Sequence, residues 1–192
     1  MKNLTRRGAL GMLAAGVGGL FQARLAHATL LRGMTVPTLA RSSRHIVAVT
    51  PLAAEAHWEV LGGRRRIVTD TRVRIDDVLA QEDPADSEMM VRTLGGTIGD
   101  LGAIVFGEAE LTPQQPCVLF LMQKGDGPPR VTGLAQGHYP LRLDPKRSDA
   151  KVRLFGSPRL PELLGDEELA VKRLVGLQLG QARQLVREAL KQ

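Results

Sequence analysis

Ile67-Val-Thr-Asp-Thr-Arg-Val-Arg-Ile75 is the stretch on which the fold class of this chain turns. Ile67, Thr69, Thr71, Val73 and Ile75 alternate with Val68, Asp70, Arg72, Arg74 and Asp76. A period of two is that of a β-strand, which sends successive side chains to opposite faces; a helix would scatter both sets around its circumference. The odd-numbered set is expected to face a core and the mostly charged even-numbered set to face solvent.

Upstream, Gly62-Gly63 followed by Arg64-Arg65-Arg66 reads as a hairpin turn. Before it, His45-Ile-Val-Ala-Val-Thr50 is rich in β-branched residues and continues through Ala54 toward Trp58 and Val60, predicting one long or bulged strand. Downstream, a polar loop from Gln81 to Ser87 leads to a strand over 88–94. Gly95, Gly96, Gly99, Gly102 and Gly107 then punctuate a stretch ending in Ala103-Ile-Val-Phe106. Cys117-Val-Leu-Phe-Leu-Met122 is apolar throughout and short enough to be a fully buried strand. Arg130 to Leu134 and Tyr139 to Leu143 read as a hairpin or bulged strand, with 151–155 as a further edge.

Helical signals are confined to the ends. Thr35-Val-Pro37 predicts a short helix capped by Thr35, with Pro37 in the first turn, where its missing N–H costs little. From Pro161 the pattern becomes helical over 167–175 and 181–190, interrupted near Gly176 and Gly180. Strands spaced by glycine-rich turns, with helices only at the ends, predict a mainly β fold: a small antiparallel barrel or sandwich with a short N-terminal helix and C-terminal helices.

The first 28 residues read as a leader. Lys2 and Arg6-Arg7 precede a weakly apolar stretch through Phe21, and Ala26-His27-Ala28 forms a small-x-small cleavage site. Arg6 and Arg7, after Thr5 and three residues before Leu10, resemble the twin-arginine export motif. The apolar middle, residues 8–21, is shorter than the roughly 20 residues that span a bilayer. The expected organisation is a signal peptide over 1–28, a β-barrel domain over 29–156 and a helical extension over 157–192. The mature chain is expected to be periplasmic or secreted and not membrane-embedded, with the twin-arginine translocase as its partner during export.

That division changes the meaning of the charge. The chain carries a formal +6, but residues 1–28 hold four basic side chains and no acid, so 29–192 retain only +2. The basic balance is therefore poor support for nucleic-acid binding, and the mature part holds too few aromatics for a base-stacking platform. Cys117 is the single cysteine, so no intramolecular disulfide forms despite an oxidising destination.

The order of His45-Ile-Val-Ala-Val, Trp58, Ile67 to Ile75 with Asp77-Val-Leu79, Val91-Arg-Thr-Leu-Gly-Gly96, Gly107-Glu108, Cys117 to Leu121 and Val131-Thr-Gly-Leu-Ala-Gln-Gly137 resembles an uncharacterised family of bacterial secreted proteins. The likeness covers roughly residues 35–144. The strand plan is also similar to the OB-type barrel of netrin-like and metalloproteinase-inhibitor domains. That second likeness does not bring the inhibitory chemistry with it. Tissue inhibitors of metalloproteinases use a disulfide-bonded N-terminal cysteine, whereas the expected mature chain begins at Thr29.

Candidate sites are few. Arg64, Arg65 and Arg66 on the hairpin tip, with Arg72 and Arg74 on the outward face of the strand, form the leading binding feature; routine cross-strand pairing with Asp70 and Asp76 explains the same residues more plainly. Gly95-Gly-Thr-Ile-Gly-Asp-Leu-Gly102 lacks the Lys-Ser/Thr of a phosphate loop and reads as a tight corner. His45, His57 and His138 have no short ligand spacing, although His57 and His138 have room to meet in space. Cys117 reads as an inert buried thiol. Asp76-Asp77, Glu108 with Glu110, and Asp83 with Asp86 are carboxylate pairs of the kind chance supplies.

The sequence therefore predicts an exported, non-catalytic β-barrel module that binds a macromolecular partner, most readily an extracytoplasmic protein, with no cofactor, no metal and no catalytic residue. A metal-dependent or hydrolytic enzyme built on His57, His138 and a carboxylate, and a secreted protease inhibitor acting through a loop, are the alternatives.

Overall fold

A computed structural model describes residues 31–192 except 83, 124, 147, 148, 150, 166 and 167. Arg6, Arg7, Ala26, Ala28, Thr29 and Asp83 lie outside the described residues. In chain order the elements are β1 (Leu31–Arg32), α1 (Val36–Arg41), β2 (His45–Leu61), β3 (Arg64–Gln81), β4 (Glu88–Leu94), β5 (Gly96–Ile98), β6 (Leu101–Ala103), β7 (Cys117–Met122), β8 (Arg130–Val131), β9 (His138–Leu143), β10 (Val152–Leu154), β11 (Leu163–Leu164), α2 (Ala170–Leu174) and α3 (Leu179–Lys191). The fold is mainly β.

The alternating stretch lies in the 18-residue β3, paired with the 17-residue β2 in one long hairpin. Gly62 and Gly63 close it with φ of +59° and +76°, the pair of left-handed residues that a two-residue hairpin turn of right-handed strands requires. Register shifts between Ile46/Val47, Ala48/Val49 and Pro51/Ala53 bend β2 as bulges do. Thr71 and Val73 are buried and Arg72 and Arg74 exposed, as alternation predicts. Val68 departs from it: flanked in register by His57 and Leu94, it is fully buried.

Seven strands form one sheet in the order β10-β9-β7-β2-β3-β4-β8, and β8 also pairs with β7. The expected antiparallel sheet is in fact mixed, because β8 runs parallel to β4 through Arg92 and Arg130. The reason is parity. Directions alternate along β7, β2, β3 and β4, so a strand antiparallel to β7 has to run parallel to β4. Between β7 and β9 the expected bulged strand is broken by a 3-10 turn at Leu134–Gly137, leaving β8 only two residues long.

Two cores flank the sheet. Ile46, Ala48, Val118 and Phe120 face the helices, where they meet Leu39, Leu174, Val186 and Ala189. Val47, Val49, Cys117, Leu119 and Leu121 point the other way, toward Val73, Val91 and Val131. Both faces of β7 are thus buried, which is why 117–122 is a continuous apolar run and not an alternating one. Burying each such side chain contributes roughly 1.5–3 kcal/mol. Thr35 caps α1 by accepting from the Thr38 N–H at 3.3 Å, with Pro37 in the first turn. Gly176, at φ +86°, separates α2 from α3, so the C-terminal helical stretch is two helices that share the core of the sheet. Among the described residues no helix is long and apolar enough to cross a membrane.

Candidate binding surface

β7 covers β2 only over His45–Val49, so the far part of the β2–β3 hairpin extends past the body of the sheet and carries its arginine-rich tip outward. Arg64, Arg65 and Arg66 are all exposed, and among the described residues none of the three forms an ion pair. Glu59 is the register partner of Arg66, but its carboxylate turns to Arg92 Nη1 at 3.1 Å. Arg65 instead places its guanidinium 4.9 Å from the centroid of the Trp58 ring, a cation–π distance.

Arg72 and Arg74 behave differently. Arg72 Nη1 lies 3.1 Å from Glu88, and Arg74 donates to Asp76 at 2.8 Å from Nε. The five arginines therefore divide into two paired residues along the strand and three unpaired ones at the tip.

Beside the tip lies an open groove of about 310 Å³ lined by Trp58, Arg65, Ile67, Leu94, Leu101 and Ala103, among others. Its far wall is the small β5–β6 hairpin, which rests directly on β2 and β3. Gly96 permits this: at φ +131°, a Cβ there would lie 2.4 Å from Thr69 Oγ1 and 3.0 Å from Ala56 Cβ. The glycine-rich stretch is thus a close-approach corner, as its composition suggests. Two of the lining side chains are large, apolar and exposed: Trp58 is 42% exposed and Leu101 62%. Isolated exposed apolar residues are ordinary, but two that face one groove beside unpaired arginines suit an interaction surface.

On the opposite face of the hairpin sits a closed polar network. Arg92 binds Asp70 in fork geometry, Nε to Oδ1 and Nη2 to Oδ2, both at 2.7 Å. Hydrogen bonding to Asp70 raises the guanidinium pKa against the opposing effect of burial. His57 Nε2 lies 3.4 Å from Glu59 and 3.8 Å from Asp70 at its margin. Both acids are committed to Arg92. Nothing in the sequence pattern singled out Arg92; its pairing depends on the β3–β4 register that sets it opposite Asp70.

The remaining candidates are dispersed. His138 is buried, with Nδ1 3.0 Å from Ser157 Oγ, and burial pushes its pKa down to about 4. It does not meet His57. His138 is in register with Leu119, which pairs with Val47, and from Val47 to His57 is roughly 30 Å along an extended strand. His45 Nδ1 is 2.9 Å from the Glu82 carbonyl. Cys117 is buried, and desolvation, with a smaller effect of Asp76, pushes its thiol up to about 12.

The carboxylate pairs separate as well. Asp76 accepts from Thr50 and Arg74, while Asp77 pairs with Arg183. Glu110 pairs with Arg159, whereas Glu108 is buried, and its carboxylate accepts the N–H groups of Leu94 and Ala109. Desolvation outweighs those bonds and raises the Glu108 pKa. Asp86 is exposed. Among the described residues no cluster of three or more His, Cys, Asp or Glu side chains is arranged to hold a metal ion. The chain matches no protein-family model and no curated protein sequence.

Proposed function

We propose that this chain is an exported, non-catalytic module with an OB-type β-barrel, which binds a protein partner outside the cytoplasm through the groove at its hairpin tip. One observation carries the reading: Arg65 and Arg66, without acid partners among the described residues, line an open apolar groove that contains Trp58, and Arg64 adjoins them in sequence. Arginine and tryptophan are the side chains that protein interfaces favour, because each combines a large flat contact area with a polar handle. The complementary partner segment carries carboxylates beside apolar side chains, which meet the arginines and the groove together.

The barrel reading is supported by the cycle of pairings β7–β2–β3–β4–β8–β7, which leaves these five strands without an edge where they pair. Export is supported by Arg6-Arg7 and the Ala26-His27-Ala28 site. The separation of His57 from His138, and the engagement of Glu59 and Asp70 by Arg92, support a binding role over a hydrolytic one.

The test is affinity capture from extracytoplasmic extract of the native host with three baits: the unaltered chain, the R64A/R65A/R66A triple variant and the R72A/R74A double variant. A protein retained by the first and third but lost by the second is expected, and the purified pair should shift the emission of Trp58. Equal retention by the triple variant, or capture of nothing by any bait, removes the reading.

A further inference from the structure

The outer edge of β2 is open over its far half. β7 ends its pairing at Val49, and the Gln114 N–H donates to the Pro51 carbonyl. Beyond that point, among the described residues, the main chain of Leu52–Leu61 is bonded only to β3. Ala53, Ala54, Glu55 and Trp58 are exposed along it. A long, straight edge of free N–H and C=O groups is a template for another strand, and proteins usually block it with lysine, proline or a bulge. Here Pro51 and the Pro51/Ala53 bulge bound one end and Gly62-Gly63 the other; between them the edge carries Glu55 and Glu59 but no lysine, proline or bulge.

We infer that this edge pairs with the same edge of a second copy of the chain, antiparallel about Ala56, giving a two-fold dimer with one continuous sheet. The sequence Leu-Ala-Ala-Glu-Ala-His-Trp-Glu-Val-Leu suits a second copy as occupant, and charge together with the length of edge used favours this register. Centred on Ala56, Glu55 stands opposite His57 of the second copy and Ala54 opposite its Trp58, each pair occurring twice by symmetry. Centring on Glu55 sets that carboxylate against itself, and centring on His57 sets Glu55 against Glu59. The Ala56 register uses the open edge almost end to end. It also keeps the two arginine tips apart by more than about 30 Å, well beyond the screening length of roughly 8 Å at physiological salt. Because the axis is perpendicular to the sheet, both grooves then open on the same side. Pairing along this edge does not require the proposed binding role, because the arginines lie outside it, although Trp58 belongs to both surfaces.

The test measures the molar mass of the purified chain by light scattering and traps the register with single cysteines. Cys117 is buried and does not compete. Two copies per particle are expected at micromolar concentration, unchanged in the R64A/R65A/R66A variant. Under mild oxidation Ala56→Cys should give a covalent dimer, because paired Cα atoms across the axis lie about 4.5–5.5 Å apart, within disulfide reach. Ala53→Cys should not, its two copies being about 20 Å apart. Glu55→Arg, a change on an exposed side chain, should weaken the dimer about tenfold. One copy per particle up to 100 μM, cross-linking of Ala53→Cys as readily as Ala56→Cys, or an unaltered dimer in Glu55→Arg would each overturn it.

Discussion

Arg65 lies over Trp58, 4.9 Å from guanidinium carbon to ring centroid, as a diagonal cross-strand pair two residues from the hairpin turn. Both side chains reach solvent, so the contact contributes little to folding; it holds the indole against one wall of the groove and leaves the cation available. Trp58 is the only tryptophan in the chain, which makes its fluorescence a direct report on that wall.

Arg65→Ala is accordingly expected to red-shift Trp58 emission while lowering stability by no more than about 1 kcal/mol. Arg64→Ala should leave both within error. Urea titration followed by fluorescence measures the two quantities together, and a loss of several kcal/mol in Arg65→Ala would show that the tip is structural.

Arg92 stands at the other extreme. Its side chain is 11% exposed and that of Asp70 15%, with two hydrogen bonds between them. Removing the cation leaves Asp70 and Glu59 close together without a counter-charge, so Arg92→Ala should cost about 2 kcal/mol, below the range for fully buried pairs because water still reaches Glu59. Arg92→Lys should recover only part of this, since an ammonium cannot reproduce the fork. Chemical denaturation of the two variants gives the order; equal stabilities would refute it.

Two buried groups act on the pH dependence with opposite sign. His138 has a folded pKa of about 4 against an ordinary value of 6.5, so its contribution is present above 6.5 and lost as pH falls toward 4, by roughly 3 kcal/mol in all. Glu108, raised by burial above the ordinary carboxylate range, contributes stability at low pH that is lost as pH rises through its folded pKa. Stability measured from pH 7 to 4 should therefore fall in the parent relative to His138→Gln and rise relative to Glu108→Gln. Parallel curves in either comparison would contradict the assigned burial.

Cys117 should not react with a thiol-specific reagent at pH 8 in the folded protein and should react stoichiometrically in denaturant. With burial pushing the thiol up to about 12, almost no thiolate exists at that pH. Rapid labelling of the native chain would place the residue at a surface.

Much of the scaffold was legible from the residues because its signals are local. Alternation from Ile67 to Ile75, Gly62-Gly63 as a turn, Thr35 with Pro37 as a helix start and the apolar run from Cys117 each depend on neighbours a few positions away. The same local character explains the failures. Alternation sends Val68 outward with the charged set, yet in the sheet, between His57 and Leu94 in register, it is fully buried. The parallel β4–β8 pair had no sequence signal, since strand direction follows from the parity of the whole set of pairings.

By itself, then, the sequence determined that this chain forms long β-strands with turns at given glycines, because side-chain alternation and left-handed backbone are properties of a few consecutive residues. Only the tertiary structure decided which charges are available. Five arginines of one strand look alike in sequence, but register and packing bring Glu88 and Asp76 to Arg72 and Arg74 and turn Glu59 toward Arg92. Arg64, Arg65 and Arg66 are left without an acid partner among the described residues, the last two beside the groove, because a carboxylate neutralises only the cation that the fold places within a few ångströms of it.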